Sequence, residues 1–298
     1  EADRDMSDWG ALAARIAAAS GRAVKPAPPR SAGGGSINRA VVLSDGAGSY
    51  FVILNDTPRL AMFEAEAAGL EEIAASDTIR VPIPLCAGTA GGEAYLAMEH
   101  LRLGGSRGGS AALAGRQLAR MHRTTRQDFG WKRENTIGST PQPNGYSSDW
   151  VAFWRDRRLR FQLDLAARNG YGGRLQERGS LLLEGLERLI DHAPAPSLLH
   201  GDLWGGNIGY AEGGQPVIYD PAVYYGDREA DLAMTELFGG FGADFYAAYR
   251  EAWPLDPGYE TRRDLYNLYH VINHLNLFGA GYLGQAQGMI ERLLAQLG

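Results

Sequence analysis

The sequence predicts an α+β protein with two lobes, the first an antiparallel sheet with a helix and the second mostly helical. Up to about residue 102, short apolar runs separated by glycine-containing turns indicate strands. From residue 110 onward, apolar residues recur at helical spacing through most of the chain. A glycine-rich stretch over residues 104–109 separates the two halves. We therefore expect an N-terminal lobe over residues 1–102 and a C-terminal lobe over residues 103–298.

Composition narrows the class of protein. The 298 residues are 45% hydrophobic and 21% charged, which is enough apolar material for a substantial core. The formal net charge of −6, without a long basic run, predicts no nucleic-acid or membrane-surface partner. No apolar run approaches the length of a membrane span. Cys86 is the only cysteine, so no intramolecular disulfide can form and we expect a reducing, cytoplasmic environment.

The elements of the first lobe follow from periodicity and turn residues. Ser7 or Asp8 can cap a first helix that ends near Gly21. Strands are expected at residues 39–43 and 49–54, with a hairpin turn at residues 45–48. A second helix follows over residues 59–75, and two more strands cover residues 81–87 and 94–101.

The second lobe is expected to be built from helices around one short strand. Apolar residues at 3.6 periodicity predict helices at residues 111–124, 149–169, 175–192, 227–237, 244–253, 259–278 and 284–297. Their aromatic residues are predicted to be core rather than ligand-stacking groups. The short strand is predicted at residues 216–219.

One stretch between these helices carries the chemistry. Asp202 is followed five residues later by Asn207, and Asp220 closes the short strand thirteen residues further on. Transfer of a phosphoryl group to an alcohol needs a carboxylate to orient the hydroxyl and accept its proton, which is the role predicted for Asp202. Asn207 and Asp220 supply the oxygen ligands that magnesium prefers. These residue types also favour turns, but their joint spacing is unusual.

The loop reads H-G-D-x-x-x-x-N, close to the protein-kinase loop with glycine in place of arginine. The missing arginine argues against an activation loop controlled by phosphorylation and favours a kinase for small molecules. His200, just before the glycine, is predicted to be a buried histidine that braces the loop rather than a catalytic group.

The first lobe offers a candidate nucleotide site. The triplet Gly33, Gly34 and Gly35, with Ser36 and Asn38, lies between predicted strands, where backbone amides can approach phosphates. Three glycines can equally form a flexible turn. Glu66 lies on the second predicted helix, where a kinase presents the acid that pairs with a strand lysine. The candidate hinge for adenine, which could equally be a buried strand end, consists of Met98, Glu99, His100 and Leu101.

These residues resemble the fructosamine kinases (ketosamine 3-kinases), which are related to aminoglycoside phosphotransferases and choline kinases. The resemblance spans most of the chain and is most specific over residues 220–241, with further matches at residues 33–38, 62–67, 80–82, 137–142, 148–150 and 200–207. It implies a protein-kinase-like fold that uses ATP and Mg²⁺. It also implies phosphorylation of the sugar 3-hydroxyl of ketoamine adducts, free or protein-bound, by a monomer or weak homodimer. The phosphorylated adduct would then fall apart and restore the amine.

By position, the resemblance makes Asp202 the base, Asn207 and Asp220 the metal ligands and residues 98–101 the hinge. Trp204 could stack on the sugar or be structural. Tyr225, Arg228 and Glu229 are further candidates for substrate contact. Arg228 and Glu229 could instead join Asp231 in an ion-pair network that braces the catalytic loop.

Two departures from the family pattern stand out. Ser36 occupies the place of a cysteine proposed as a redox switch, so thiol regulation through this loop should be absent. Ile53 stands where the family has lysine, and because Phe51 and Ile53 share a strand face, that face would meet the nucleotide with apolar groups. Losing this cation could cost on the order of 10²- to 10³-fold in rate. Glu66 would then need another cation, Arg39 or Arg59, or its pKa would rise.

The sequence leaves three readings open. The first is an active ketosamine kinase, attenuated by Ile53. The second is a catalytically weak or inactive protein, similar to a pseudokinase, that binds nucleotide or ketoamine. The third, an antibiotic phosphotransferase, would share the fold and Asp202 but is disfavoured by the family-specific motifs.

Overall fold

The computed structural model describes residues 8–24, 30–32, 37–44 and 48–298. Several predicted features lie outside these residues: the candidate cap Ser7, most of the hairpin turn, and the candidate phosphate-binding residues Gly33, Gly34, Gly35 and Ser36. No helix in the described ranges combines the length and the apolar character needed to cross a membrane.

The first lobe is a five-stranded antiparallel sheet in the order β1-β2-β3-β5-β4. Its strands are β1 (Arg30–Ala32), β2 (Arg39–Ser44), β3 (Ser49–Asp56), β4 (Pro84–Ala90) and β5 (Glu93–Glu99). Two helices accompany it, α1 (Trp9–Ser20) and α2 (Leu60–Ala75). The predicted cap is confirmed at Asp8, whose side chain accepts a hydrogen bond from the amide of Ala11 at 3.0 Å.

The alternation of side chains along β3 decides what each sheet face meets. Val52 and Leu54 point to one face and pack with Leu12 and Ile16 of α1. Ile53 points to the other face, in a core that continues through α2 into the second lobe. The two lobes therefore share one continuous apolar core.

The second lobe is mainly helical, as predicted. Its helices are α3 (Ser110–His122), α4 (Trp150–Trp154), α5 (Arg160–Arg168), α6 (Arg174–Glu184), α7 (Leu186–Leu189), α8 (Glu229–Leu237), α9 (Ala243–Ala252), α10 (Tyr259–Phe278) and α11 (Leu283–Leu297). Three antiparallel pairs of short strands lie among them: β6 (Asn135–Ile137) with β7 (Thr140–Gln142), β8 (Ser197–Leu199) with β11 (Tyr224–Gly226), and β9 (Ile208–Tyr210) with β10 (Pro216–Ile218).

Several predicted boundaries differ from the structure. The helix expected over residues 149–169 contains a π-helical turn, Arg155–Leu159, between α4 and α5. The helix expected over residues 175–192 is divided at Gly185, where a Cβ would lie 2.3 Å from a methyl of Leu297 on α11. The three-residue strands are too short to show a period of two, so most were not predicted.

Candidate active site

A cleft of about 690 Å³ lies between the two lobes. Most of the described candidate residues line it: Asn38, Phe51, Ile53, Glu66, Met98, Glu99, His100, Leu101, Asp202, Trp204, Asn207 and Asp220. The first eight come from the first lobe: Asn38 directly before β2, two residues of β3, one of α2, and four at or just after the end of β5. The segment between β8 and β11 supplies the other four. The fold therefore brings the candidate nucleotide-binding residues of the first lobe and the candidate catalytic and metal-binding residues of the second lobe to the same cleft.

The candidate catalytic loop, residues 200–207, is supported by Asp231 in the first turn of α8. Its Oδ1 accepts the backbone N–H of Gly201 and its Oδ2 accepts that of His200, both at 2.9 Å. His122 of α3 contacts the same Oδ2 at 2.8 Å, and both side chains are buried. Burial by itself would raise the pKa of Asp231, but the hydrogen bonds from His122 and from the backbone N–H of Gly201 outweigh burial, and the pKa lies below its ordinary value.

His200 has the bracing role predicted for it. It is fully buried, its Nε2 donates to the carbonyl of Tyr219 at 2.7 Å, and its Nδ1 accepts the backbone N–H of Asp202 at 3.1 Å. A ring that donates on one side and accepts on the other is neutral. Burial lowers its pKa, in agreement with that state. The histidine therefore ties the catalytic loop to the strand that leads to Asp220.

The backbone conformation at position 201 requires glycine, where the protein-kinase loop has arginine. The φ of Gly201, +87°, lies in the left-handed region, and a Cβ would lie 2.0 Å from the carbonyl oxygen of Ala222. The amide of Ala222 donates to the carbonyl of His200 at 2.8 Å, which holds the two segments in close contact. Any side chain at position 201 would separate Asp202 from the segment that carries Asp220.

Asp202 and Asn207 are oriented within the loop. The Nδ2 of Asn207 donates to the backbone carbonyl of Asp202 at 2.8 Å, across a short 3₁₀ turn, Gly205–Asn207. Burial, and then the charges of Asp220 and Asp231, raise the pKa of Asp202 well above its ordinary value. A carboxylate with a raised pKa is a stronger base, which suits proton abstraction from an alcohol.

Asp220 has a strained backbone. Its φ of +52° makes it one of two non-glycine residues with positive φ among the described residues. Strain of this kind persists where the surrounding structure enforces it, often at functional sites. It aims the carboxylate of Asp220 into the cleft, toward Glu66.

The position on β3 where a kinase has the lysine that would pair with Glu66 is occupied by Ile53, which lies buried in the cleft wall. Of the two cations considered for Glu66, Arg39 pairs instead with Glu93 at 3.0 Å. The side chain of Glu66 is in hydrogen-bond contact with Asp220. Burial and the charge of Asp220 raise the pKa of Glu66 well above its ordinary value, which is the outcome predicted from isoleucine at position 53.

The candidate hinge lies at the end of β5. The backbone N–H of Glu99 donates to the carbonyl of Ile83 at 2.8 Å, and its carboxylate pairs with Arg80 at 3.1 Å. His100 contacts Ser49 at 2.7 Å and stacks on Phe51 with ring centroids 6.5 Å apart. The hinge and β3 therefore form one wall of the cleft.

Of the four candidates for substrate contact, only Trp204 lies at the cleft. The residue is 40% exposed, and its ring meets that of Phe238 edge-on with the ring centroids 6.0 Å apart. The hydroxyl of Tyr225 donates to Glu72 at 2.6 Å on α2, outside the cleft lining. Arg228 donates to the carbonyl of Trp253 at 2.9 Å and stacks on its ring at 3.8 Å.

Glu229 forms a buried ion pair with Arg262 of α10 at 2.6 Å. The structure therefore places Tyr225, Arg228 and Glu229 outside the described lining of the cleft, where each contacts other protein groups. Asp231 braces the catalytic loop, as the alternative reading had it, but Glu229 pairs with Arg262 rather than with Arg228.

Sequence reasoning missed the wall that α10 and the β6 region contribute. It is made of polar and aromatic side chains: Asn135, Thr136, His270, Asn273, His274 and Phe278. Burial lowers the pKa of His270 to about 3 and also lowers that of His274, so both are neutral at pH 7. The aromatic residues of this helix were expected in the core, and a spacing of four between the histidines was the available signal.

Comparison with known proteins shows which family this chain is similar to. The family model described as fructosamine kinase matches residues 8–296. A probable ketoamine kinase of Synechocystis is 46% identical over 287 residues, covering 96% of this chain and 97% of the relative. The chloroplastic protein-ribulosamine 3-kinase of Arabidopsis thaliana is 48% identical, covering 93% and 86%.

Solved structures of similar fold cover nearly the whole chain. A protein of Thermobifida fusca, provisionally named fructosamine-3-kinase, is 30% identical with a TM-score of 0.85, covering 95% of this chain and 98% of that one. One of Haemophilus somnus, named in the same way, is 27% identical with a TM-score of 0.87, covering 96% and 97%. An aminoglycoside phosphotransferase, at 15% identity and a TM-score of 0.58, covering 95% and 98%, shares the fold.

Proposed function

The chain belongs to the fructosamine kinase family, and we propose that it transfers the γ-phosphoryl group of ATP to the sugar 3-hydroxyl of ketosamines. Ketosamines, such as fructosamines and ribulosamines, form when sugars such as glucose or ribose glycate amines. The observation that carries the proposal is the position of Asp202, which faces the inter-lobe cleft beside both Asn207 and Asp220. The family resemblance further implies that the phosphorylated adduct releases its amine, which makes the reaction a deglycation in the cytoplasm.

Asp202 acts as the general base in this proposal. The substrate hydroxyl lies against its carboxylate, which orients the oxygen toward the phosphate and accepts the proton as the new bond forms. The loop is preorganised for this step, because Asp231 accepts the backbone N–H groups of the two residues before Asp202 and His200 accepts that of Asp202 itself. Little rearrangement is then needed in the transition state.

Asn207 and Asp220 would hold magnesium. The amide nitrogen of Asn207 is engaged by the carbonyl of Asp202, which leaves the amide oxygen to face a cation. With the carboxylate of Asp220 this makes a set of hard oxygen ligands, which fits magnesium. Magnesium, when bound, would neutralise charge on the phosphate oxygens.

The nucleotide would lie under β3 with its adenine at residues 98–101. Among the residues that the structure describes, no lysine or arginine lines this cleft. With Ile53 in the wall, the phosphates lack the usual side-chain cation, so we propose a rate attenuated by about 10²- to 10³-fold. Ile53 also favours a second candidate function, a protein that binds nucleotide or ketoamine with little or no turnover.

A steady-state assay tests the proposal. Purified protein with Mg-ATP is given ribulosyl-, erythrulosyl- and fructosyl-lysine, and phosphorylated product is measured against an Asp202→Asn variant. We expect wild type to form phosphorylated product with at least one ketosamine. The Asp202→Asn variant should form it at a rate lower by about 10²-fold or more. If wild type and variant are equally inactive, the kinase proposal fails. ATP binding by calorimetry in that inactive protein would then support the second candidate.

A further inference from the structure

Glu66 lies where a kinase presents the acid that pairs with a strand lysine. In this chain the position of that lysine is Ile53. Glu66 lies on α2, lines the cleft together with Met62 and Ala65, and is in hydrogen-bond contact with Asp220. A salt bridge from Glu66 to position 53 is impossible, because isoleucine occupies that position and is 6% exposed. The carboxylate nevertheless remains in place, facing the nucleotide site.

The charges around this point do not balance. Glu66, Asp202 and Asp220 converge on the cleft, and lysine and arginine are missing from its described lining. Residues 33–36, for which a position near the phosphates was predicted, are Gly-Gly-Gly-Ser and carry no side-chain charge. The two histidines of the α10 wall are neutral. Two ionised carboxylates this close repel one another unless a proton or a cation lies between them, and a metal ion bound there would displace the proton that Glu66 and Asp220 otherwise share.

A bare carboxylate at position 66 would also repel the phosphates of ATP. A divalent cation between the two removes both conflicts, since it accepts carboxylate and phosphate oxygens together. The geometry supplies such a place, because Glu66 meets the carboxylate that is the expected metal ligand.

We propose that Glu66 is a direct ligand of the divalent cation in this chain, sharing it with Asp220. Glu66 thereby replaces an ion pair to lysine with a bond to metal, and the site holds the cation before the nucleotide arrives. This inference rests on the proposed function, because the cation is the one that accompanies ATP.

The test is titration of the full-length, nucleotide-free protein with Mn²⁺, following free Mn²⁺ by electron paramagnetic resonance. Wild type is compared with Glu66→Gln and with Glu71→Gln, an exposed glutamate on the same helix. We expect Glu66→Gln to weaken Mn²⁺ binding by about tenfold or more, and Glu71→Gln to leave it unchanged. Circular dichroism confirms that each variant is folded.

Equal Mn²⁺ affinity in wild type and Glu66→Gln, or no binding by wild type at millimolar Mn²⁺, would overturn the inference. An Ile53→Lys variant gives a second check, since an ammonium beside Glu66 competes for its carboxylate and should weaken nucleotide-free Mn²⁺ binding. Unchanged binding in that variant also counts against the inference. Turnover is measured separately, so loss of kinase activity and loss of the Glu66 ligand are distinguishable results.

Discussion

Asp231 and Gly201 are joined by a hydrogen bond of 2.9 Å from the backbone N–H of Gly201 to Oδ1 of Asp231. The residue after Gly201 is the proposed base, so the carboxylate at the start of α8 sets the position of Asp202. Asp231 also contacts His122 of α3, and this buried pair connects the catalytic loop to two helices. The base therefore depends on a group that does not line the cleft.

Replacing Asp231 by asparagine should impair both folding and catalysis. The amide keeps one acceptor oxygen but loses the charge that His122 and two backbone N–H groups share. We expect a loss of about 3–5 kcal/mol in the free energy of unfolding, typical of a broken buried pair, and a fall in kcat larger than the rise in KM. Denaturant unfolding and steady-state kinetics measure these, with Asp244→Asn, exposed on α9, as the unaffected control.

The same pair predicts a pH dependence. Because the folded pKa of Asp231 lies below its ordinary value, its contribution to stability is present above the unfolded pKa and is lost as pH falls through the folded pKa. The difference in unfolding free energy between wild type and Asp231→Asn should be constant from about pH 5 to 8 and shrink below about pH 4. A constant difference down to pH 2 would contradict this.

Gly201→Ala should be among the most damaging single changes in the loop. The new methyl group meets the carbonyl of Ala222, so the backbone must shift and the hydrogen bond from Ala222 to His200 must stretch. We expect near-complete loss of turnover. Gly213→Ala is the matched control, because its φ of +77° imposes the same strain, about 1 kcal/mol, with no atom within 4 Å of the new Cβ. Equal effects at both positions would show that strain, not the close approach, matters.

Ile53→Lys should raise kcat/KM for ATP by about 10²- to 10³-fold, because the ammonium is held beside both Glu66 and the phosphates. Steady-state kinetics with a saturating ketosamine measure the gain. Ile53→Met, which adds length without charge, is the control and should give no gain. An unchanged rate in the lysine variant, from a robust wild-type rate, would mean that another feature already supplies the charge.

The contacts of His192 predict that the free energy of unfolding falls as pH rises through the folded pKa of this histidine. It contacts Asp227 at 2.7 Å and Glu229 at 3.6 Å, with Arg262 nearby. Burial lowers the pKa of His192, but the contact with Asp227 and the two negative charges outweigh burial, so the pKa is raised. A raised folded pKa gives stability that is complete below about pH 6.5 and is lost as pH rises through the folded pKa.

The stability difference between wild type and His192→Gln should therefore be larger at pH 6 than at pH 9. Urea unfolding at both values measures it. A difference that grows with pH would mean that His192 is neutral in the fold at pH 6.

Trp204→Ala should raise KM for the ketosamine more than KM for ATP. Trp204 is the substrate candidate that the structure places at the cleft, with Phe238 against its edge. Losing roughly 1.5–3 kcal/mol of apolar contact corresponds to about tenfold or more in KM. Trp204→Phe should restore part of the loss. An equal rise in KM for both substrates would indicate a structural tryptophan.

The sequence by itself determined the fold class and the centre of the site. Asp202 and Asn207 lie five residues apart in one loop, so their geometry is local and their spacing is informative. The alternation of side chains on β3 likewise predicted that Phe51 and Ile53 share the face that lines the cleft.

Only the tertiary structure decided which residues support that centre. His122 and Asp231 are 109 residues apart, and Glu229 and Arg262 are 33 apart on different helices, so neither pairing follows from periodicity. The same holds for Glu66, whose contact with Asp220 depends on how α2 packs against the second lobe. Sequence spacing specifies contacts within an element, whereas packing of distant elements decides which buried charges meet.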